Sequence, residues 1–243
     1  MVRGRGGESK RKAIQPLNLA PRPGLPFQIL CLGAHSDDIE IGCGGTILQL
    51  LSASPAFEVV WVVFSSGRER EQEARASADL FLKKAGDRKV IVKKFRDGFF
   101  PYDGAKIKEF FEELKQQTDP DLIFTHYRDD RHQDHRTISD LTWNTWRRHL
   151  VLEYEIPKYD GDLGSPNCFV ALPQEICRRK IKHICEVFQT QSNKVWLTED
   201  TFLAMLRLRG VECAAPEKYA EAFYCRKFSL AMEPAGGWRG VTL

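Results

Sequence analysis

From Phe27 onward the hydrophobic positions fall into two alternating kinds of run. Four of them, at 27–33, 57–65, 89–95 and 121–125, are short, nearly continuous and rich in Val, Ile and Phe. That is the pattern of strands covered on both faces. The stretches between them, 45–52, 70–85 and 105–117, space their apolar residues at a helical period, and Ala74, Ala78, Phe81, Leu82 and Ala85 form one stripe of the middle stretch. Repeated βα units predict an α/β fold with a mostly parallel sheet and helices on both faces. After Asp134 the pattern predicts a helix to about residue 149, strands at 150–156 and 168–172, helices at 174–189 and 198–209, and a closing segment at 219–230. No repeat or low-complexity tract interrupts this series, so 27–230 reads as a single domain.

Such a Rossmann-like three-layer sandwich needs one sizeable core, and 243 residues at 42% hydrophobic supply it. The formal charge is only +3, and Arg3, Arg5, Lys10, Arg11 and Lys12 carry much of the excess. A surface for coating nucleic acid is therefore not expected. Residues 1–26 mix Gly, Pro and basic side chains without apolar periodicity and predict a flexible basic leader. Residues 231–243, with Pro234, Gly236 and Gly237, predict a frayed tail. No apolar run has the length of a secretory or bilayer-spanning segment, which leads us to expect a soluble, cytoplasmic protein. The seven cysteines include no C-x-x-C pair and several lie in apolar runs, the pattern of reduced, structural thiols.

In open parallel sheets ligands bind beyond the carboxyl ends of the strands. The first strand is followed there by Gly33-Ala34-His35-Ser36-Asp37-Asp38-Ile39-Glu40, and the fourth by His126-Tyr127-Arg128-Asp129-Asp130-Arg131-His132-Gln133-Asp134-His135. Either loop alone would suit a capped turn or a solvated charged loop. Both leave the same sheet edge, however, and together they bring imidazoles and carboxylates into one crevice. Three such ligands with an open position for water form the usual zinc set of a hydrolase. The glycine-rich run Gly42-Cys43-Gly44-Gly45-Thr46 lacks the spacing of a dinucleotide site and faces carboxylates, so it is read as allowing close helix packing.

His35-Ser36-Asp37-Asp38-Ile39, the glycine run and the later His132-Gln133-Asp134-His135 resemble the LmbE-like, or PIG-L, family of zinc-dependent deacetylases, which remove the acetyl group from N-acetylglucosaminyl compounds. The resemblance extends over roughly 27–228. Two positions depart from the family's His-Pro-Asp-Asp-Glu: Ser36 stands for proline, and Ile39 for glutamate, with Glu40 one place late. The resemblance implies one Zn2+ held by His35, Asp38 and His135, with another divalent ion also compatible. It further implies that Asp37 takes a proton from the attacking water, and that His132, hydrogen-bonded to Asp134 and so kept cationic, stabilises the oxyanion or protonates the departing amine. For the N-acetylated sugar it points to Arg68, beside Gly67, and to Asp97 of Arg96-Asp97-Gly98. Alternative readings are an amidase of the thiol-conjugate type and a metal- and sugar-binding protein whose catalysis has lapsed. The sequence is also compatible with a homo-oligomer.

Overall fold

The computed structural model of the chain describes Leu17, Leu19 and residues 26–229. The leader expected over 1–26 and the tail over 231–243 lie outside the described residues, save Leu17, Leu19 and Pro26. In chain order the elements are β1 (Phe27–Gly33), α1 (Asp38–Ala53), β2 (Phe57–Val63), α2 (Arg68–Phe81), β3 (Asp87–Val92), α3 (Gly104–Gln117), β4 (Leu122–His126), α4 (Gln133–Thr145), β5 (Leu150–Tyr154), β6 (Cys168–Ala171), α5 (Gln174–Val187), α6 (Glu199–Glu212) and β7 (Ala220–Cys225). The strands form one seven-stranded sheet in the order β3-β2-β1-β4-β5-β7-β6. The five strands from β3 to β5 are parallel, whereas β7 runs antiparallel to both β5 and β6.

Alternate residues of the central strands feed two cores, as the period-2 geometry of a strand requires. Ile29 and Cys31 of β1 join the core beneath α1, α2, α5 and α6, while Leu30 and Leu32 join the one beneath α3 and α4. This is the three-layer sandwich that the periodicity predicts. Among the described residues no helix is long and apolar enough to cross a membrane.

The largest departure from the predicted elements is α1, which starts at Asp38 instead of residue 45. The glycine run thus lies inside the helix, and its members face neighbours. A Cβ on Gly42 would sit 2.2 Å from the Tyr154 ring, and one on Gly44 2.5 Å from Phe81. Close packing rather than phosphate binding explains the run. Further along α1, the buried Glu221 carboxylate of β7 accepts the Gly45 N–H at 2.7 Å and the Thr46 N–H at 2.6 Å. Its partner Lys180, from α5, donates to the Ile41 carbonyl at 2.6 Å and to Glu221 at 2.6 Å. This buried ion pair clamps α1 against the sheet about two turns beyond the helix start at Asp38.

Candidate active site and metal centre

At the carboxyl edge of the sheet, β1 and β4 lie side by side, so the loops that leave them meet. His35 Nδ1 lies 3.2 Å from His135 Nε2 and 3.4 Å from Asp38 Oδ2, and His135 Nε2 lies 3.5 Å from Asp38 Oδ1. Donors about 2.0–2.1 Å from a tetrahedral zinc stand about 3.3–3.4 Å apart, so the donor set fits such an ion. Each imidazole spends its other nitrogen on a carboxylate. His135 Nδ1 meets Asp130 Oδ2 at 2.9 Å, and His35 Nε2 meets Asp97 at 3.1 Å and Asp134 at 3.4 Å. Carboxylates in this position fix the ring and its tautomer for a metal at the opposite nitrogen. Two further groups, His35-Asp97-His132 and His126-Asp130-His135, also bring ligand atoms together. They compete poorly: Asp97 is three-quarters exposed, and His126 Nε2 is occupied by the Ala34 N–H at 2.9 Å.

The cluster has uneven electrostatics. Burial, together with the neighbouring His126, pushes the His135 imidazole down to about 4 despite Asp38 and Asp130, leaving it neutral near pH 7. Burial lowers His35 too, but Asp38, Asp134 and Asp97 outweigh it and hold this imidazole well above its usual range. Asp38 is also buried, yet His135, His126 and His35 bring it well below the usual carboxylate range.

Asp37 is the N-cap of α1 but makes no capping bond through its side chain. Its carboxylate instead takes Arg70 at 2.9 Å. Burial raises the Asp37 carboxyl above its ordinary range, with Arg70 pulling against the shift and Asp38 adding to it. Ser36, in place of the family's proline, is fully buried and meets Ser66 through its hydroxyl at 3.2 Å, a brace between the first two strand-end loops. Ile39 is core, and Glu40 is buried with neither oxygen partnered.

Two expectations about the second loop need correction. His132 is the N-cap of α4, and its Nδ1 accepts the Asp134 backbone N–H at 3.3 Å. The Asp134 carboxylate turns away from it, taking the Gly98 N–H at 2.7 Å and the Phe100 N–H at 3.1 Å beside His35. Gly98, at φ +76, adopts a left-handed conformation that keeps this loop close. With Nδ1 accepting there, the ring carries its proton on Nε2, and burial, then the charge of His35, lower the His132 pKa. Asp134 braces His35 and the Asp97 turn rather than keeping His132 cationic.

A cavity of about 500 Å³ opens over these groups, lined among others by His35, Asp37, Asp38, Arg70, Asp97, His132 and His135. Its far walls come from the segment after β5, with Lys158 and Tyr159, and from Thr190, Lys194 and Trp196. Arg68 is exposed at the start of α2 and does not line it. Two residues on around the helix, Arg70 does. Sequence reasoning also passed over Asp130 and Lys158; asking each ligand histidine for a carboxylate partner would have found the first.

The family model for PIG-L, GlcNAc-PI de-N-acetylase, matches residues 30–146. The uncharacterized deacetylase YaiS of Escherichia coli is 30% identical over 142 residues, 53% of this chain and 74% of YaiS. The chain belongs to the PIG-L family. As a PIG-L protein it is a hydrolytic N-deacetylase, and His35, Asp38 and His135 all lie within the matched stretch. Among solved structures, the N,N'-diacetylchitobiose deacetylase of Pyrococcus horikoshii superposes at TM-score 0.63, with 22% identity over 81% of this chain and 82% of that one. GalB, the 4-carboxy-2-hydroxymuconate hydratase of Pseudomonas putida, superposes at 0.64, with 17% identity over 86% and 100%. These likenesses show the fold, which carries a hydratase as well as a deacetylase and so leaves the reaction to the site.

Proposed function

We propose that this PIG-L protein removes the acetyl group from an N-acetylated amino sugar, with a divalent metal, zinc by its donor set, held by His35, Asp38 and His135. The observation that carries the reading is the convergence of His35, His135 and the two Asp38 oxygens at 3.2–3.5 Å, with a second buried carboxylate, Asp37, held by Arg70 at its side in the same cavity. A metal bound there would polarise the amide carbonyl and make water a nucleophile near neutral pH.

The remaining steps belong to the chain's own residues. Asp37, raised by burial, takes a proton from water as its oxygen attacks the acetamide carbon. Arg70 holds that carboxylate in place and balances its charge until the proton arrives. The oxyanion that develops receives the Nε2–H of His132, whose orientation is set by the backbone of Asp134. Breakage of the C–N bond then transfers the proton from Asp37 to the leaving nitrogen, giving acetate and a free amine. Asp97 at the rim accepts from sugar hydroxyls, and Arg70 rather than Arg68 reaches the substrate from α2.

The test is acetate release by the metal-loaded protein from a panel of N-acetylglucosaminyl compounds, beside Asp37→Asn and His132→Ala. Removing one oxyanion donor is expected to slow turnover by about 10²–10³-fold. Turnover by Asp37→Asn at the wild-type rate would refute the assignment of the base. Release of a larger acyl group, with no acetate from any compound, would favour the amidase reading instead.

A further inference from the structure

Behind His135 lies a second layer of charge that the proposed reaction does not use. Asp130 Oδ2 accepts from His135 Nδ1 at 2.9 Å, and the same oxygen accepts from Lys158 Nζ at 3.0 Å. Asp130 Oδ1 is occupied by the His132 N–H at 2.7 Å, so the carboxylate stays in place whether or not Lys158 is there. Lys158 also pairs with Asp162, whose carboxylate takes the Arg131 N–H at 2.7 Å. The side chains of Lys158, Asp130 and Asp162 are only 10%, 2% and 7% exposed, so solvent and salt screen them little. One ammonium thus stands between two carboxylates, sharing the very oxygen that orients a metal ligand.

We propose that Lys158 is a positioning residue of the metal centre that acts through Asp130 and His135. By drawing on Asp130 Oδ2 it limits the negative charge passed through the imidazole to a bound divalent cation. Asp162 sets how much of the ammonium is available for this, since it claims the other side of it. The arrangement keeps the cation bound yet electron-poor, the state in which it polarises a carbonyl best. The inference rests on the reading of His135 as a ligand.

Charge tuning and structural bracing predict opposite signs. Lys158→Met leaves two carboxylates near His135 with no cation between them, and zinc affinity, measured by chelator competition, is expected to tighten by about 3- to 10-fold. Asp162→Asn leaves the ammonium wholly to Asp130, and affinity is expected to loosen by about the same factor. Lys158→Arg keeps the charge and should restore affinity to within about twofold of wild type. Visible absorption of the Co(II)-loaded protein should shift in Lys158→Met and return in Lys158→Arg. If Lys158→Met and Asp162→Asn both loosen zinc in step with a fall in Tm, or if neither moves it, the proposal is overturned. A wild-type chain that holds no zinc would remove the metal reading and this inference together. Zinc binding and acetate release in the wild type, without divergence of the two variants, would remove the role of Lys158 alone.

Discussion

Gly42→Ala tests the link between helix packing and the metal site with a single methyl group. The added Cβ would lie 2.2, 2.4 and 2.8 Å from three atoms of the Tyr154 ring. Carbon atoms rest at about 3.5–4.0 Å, so the overlap exceeds 1 Å. The ring has nowhere to retreat: Tyr154 is fully buried, its hydroxyl donates to the Leu32 carbonyl at 2.6 Å, and its other side packs on His126. The helix must move instead, and Asp38 is its first residue. Overpacking of this kind costs about 3 kcal/mol, which lowers Tm by about 6–12 °C in a domain of this size. Displacement of Asp38 should weaken zinc binding by about tenfold. The assays are calorimetric melts and chelator competition, with Gly67→Ala as the comparison, since a Cβ there meets nothing within 4 Å. Wild-type Tm and zinc affinity in Gly42→Ala would refute the argument.

Arg70→Met is expected to reduce kcat/KM by about 10²-fold by loosening Asp37 and the substrate, whereas Arg68→Met should change it far less; steady-state kinetics on both decides between the two arginines. His35, held above its usual pKa, keeps to higher pH than an ordinary imidazole would the proton that a metal must displace, while His135, near 4, has none to lose at neutral pH. Below the raised pKa zinc affinity should therefore climb by up to about tenfold per pH unit, with more than half a proton released at about pH 6.5, the ordinary imidazole value. Calorimetry in buffers of different ionisation enthalpy reads that proton, and zero release would refute the charge assigned to His35. The same raised pKa stabilises the metal-free fold below about pH 6.5, a contribution lost as pH rises through the folded value. Burial pushes the Cys168 thiol up to about 11, so alkylation by iodoacetamide, followed by mass spectrometry, should be very slow at pH 7.5 and accelerate only toward pH 11.

The parts of the site legible in the sequence are those where chemistry-bearing residues crowd the end of an apolar strand. His35, Asp37 and Asp38 stand out in this way, as do His132, Asp134 and His135, and the structure brings all six to one cavity or its wall. What the sequence hides is direction. Arg68 and Arg70 are both near Gly67, but two positions on a helix turn a side chain by about 200°, and only the observed start of α2 shows which one points inward. The same holds for Asp134, whose carboxylate and backbone serve different histidines, so that its neighbourhood to His132 in the chain misleads. Strand direction is hidden likewise, because the apolar runs of β6 and β7 carry no mark of their antiparallel pairing. Lys180, Glu221 and Lys158 act through contacts between distant segments, for which one sequence offers no periodicity to read.

The clamp of Lys180 and Glu221 on α1 also has a meaning for the order of assembly. Glu221 is 176 and 175 positions away from the backbone groups of Gly45 and Thr46 that it satisfies. As the chain leaves the ribosome, His35, Asp38 and His135 are already out long before that carboxylate appears. The stretch 30–146, where the family model matches, holds all three of these residues but neither partner of the clamp. A chain ending there would carry the donors on a helix with no outside partner for those N–H groups. Closure of the loop across almost the whole chain is the slow kind of contact to form. On the proposed reading, capture of a metal would then wait for the completed molecule and depend on residues far from the ion.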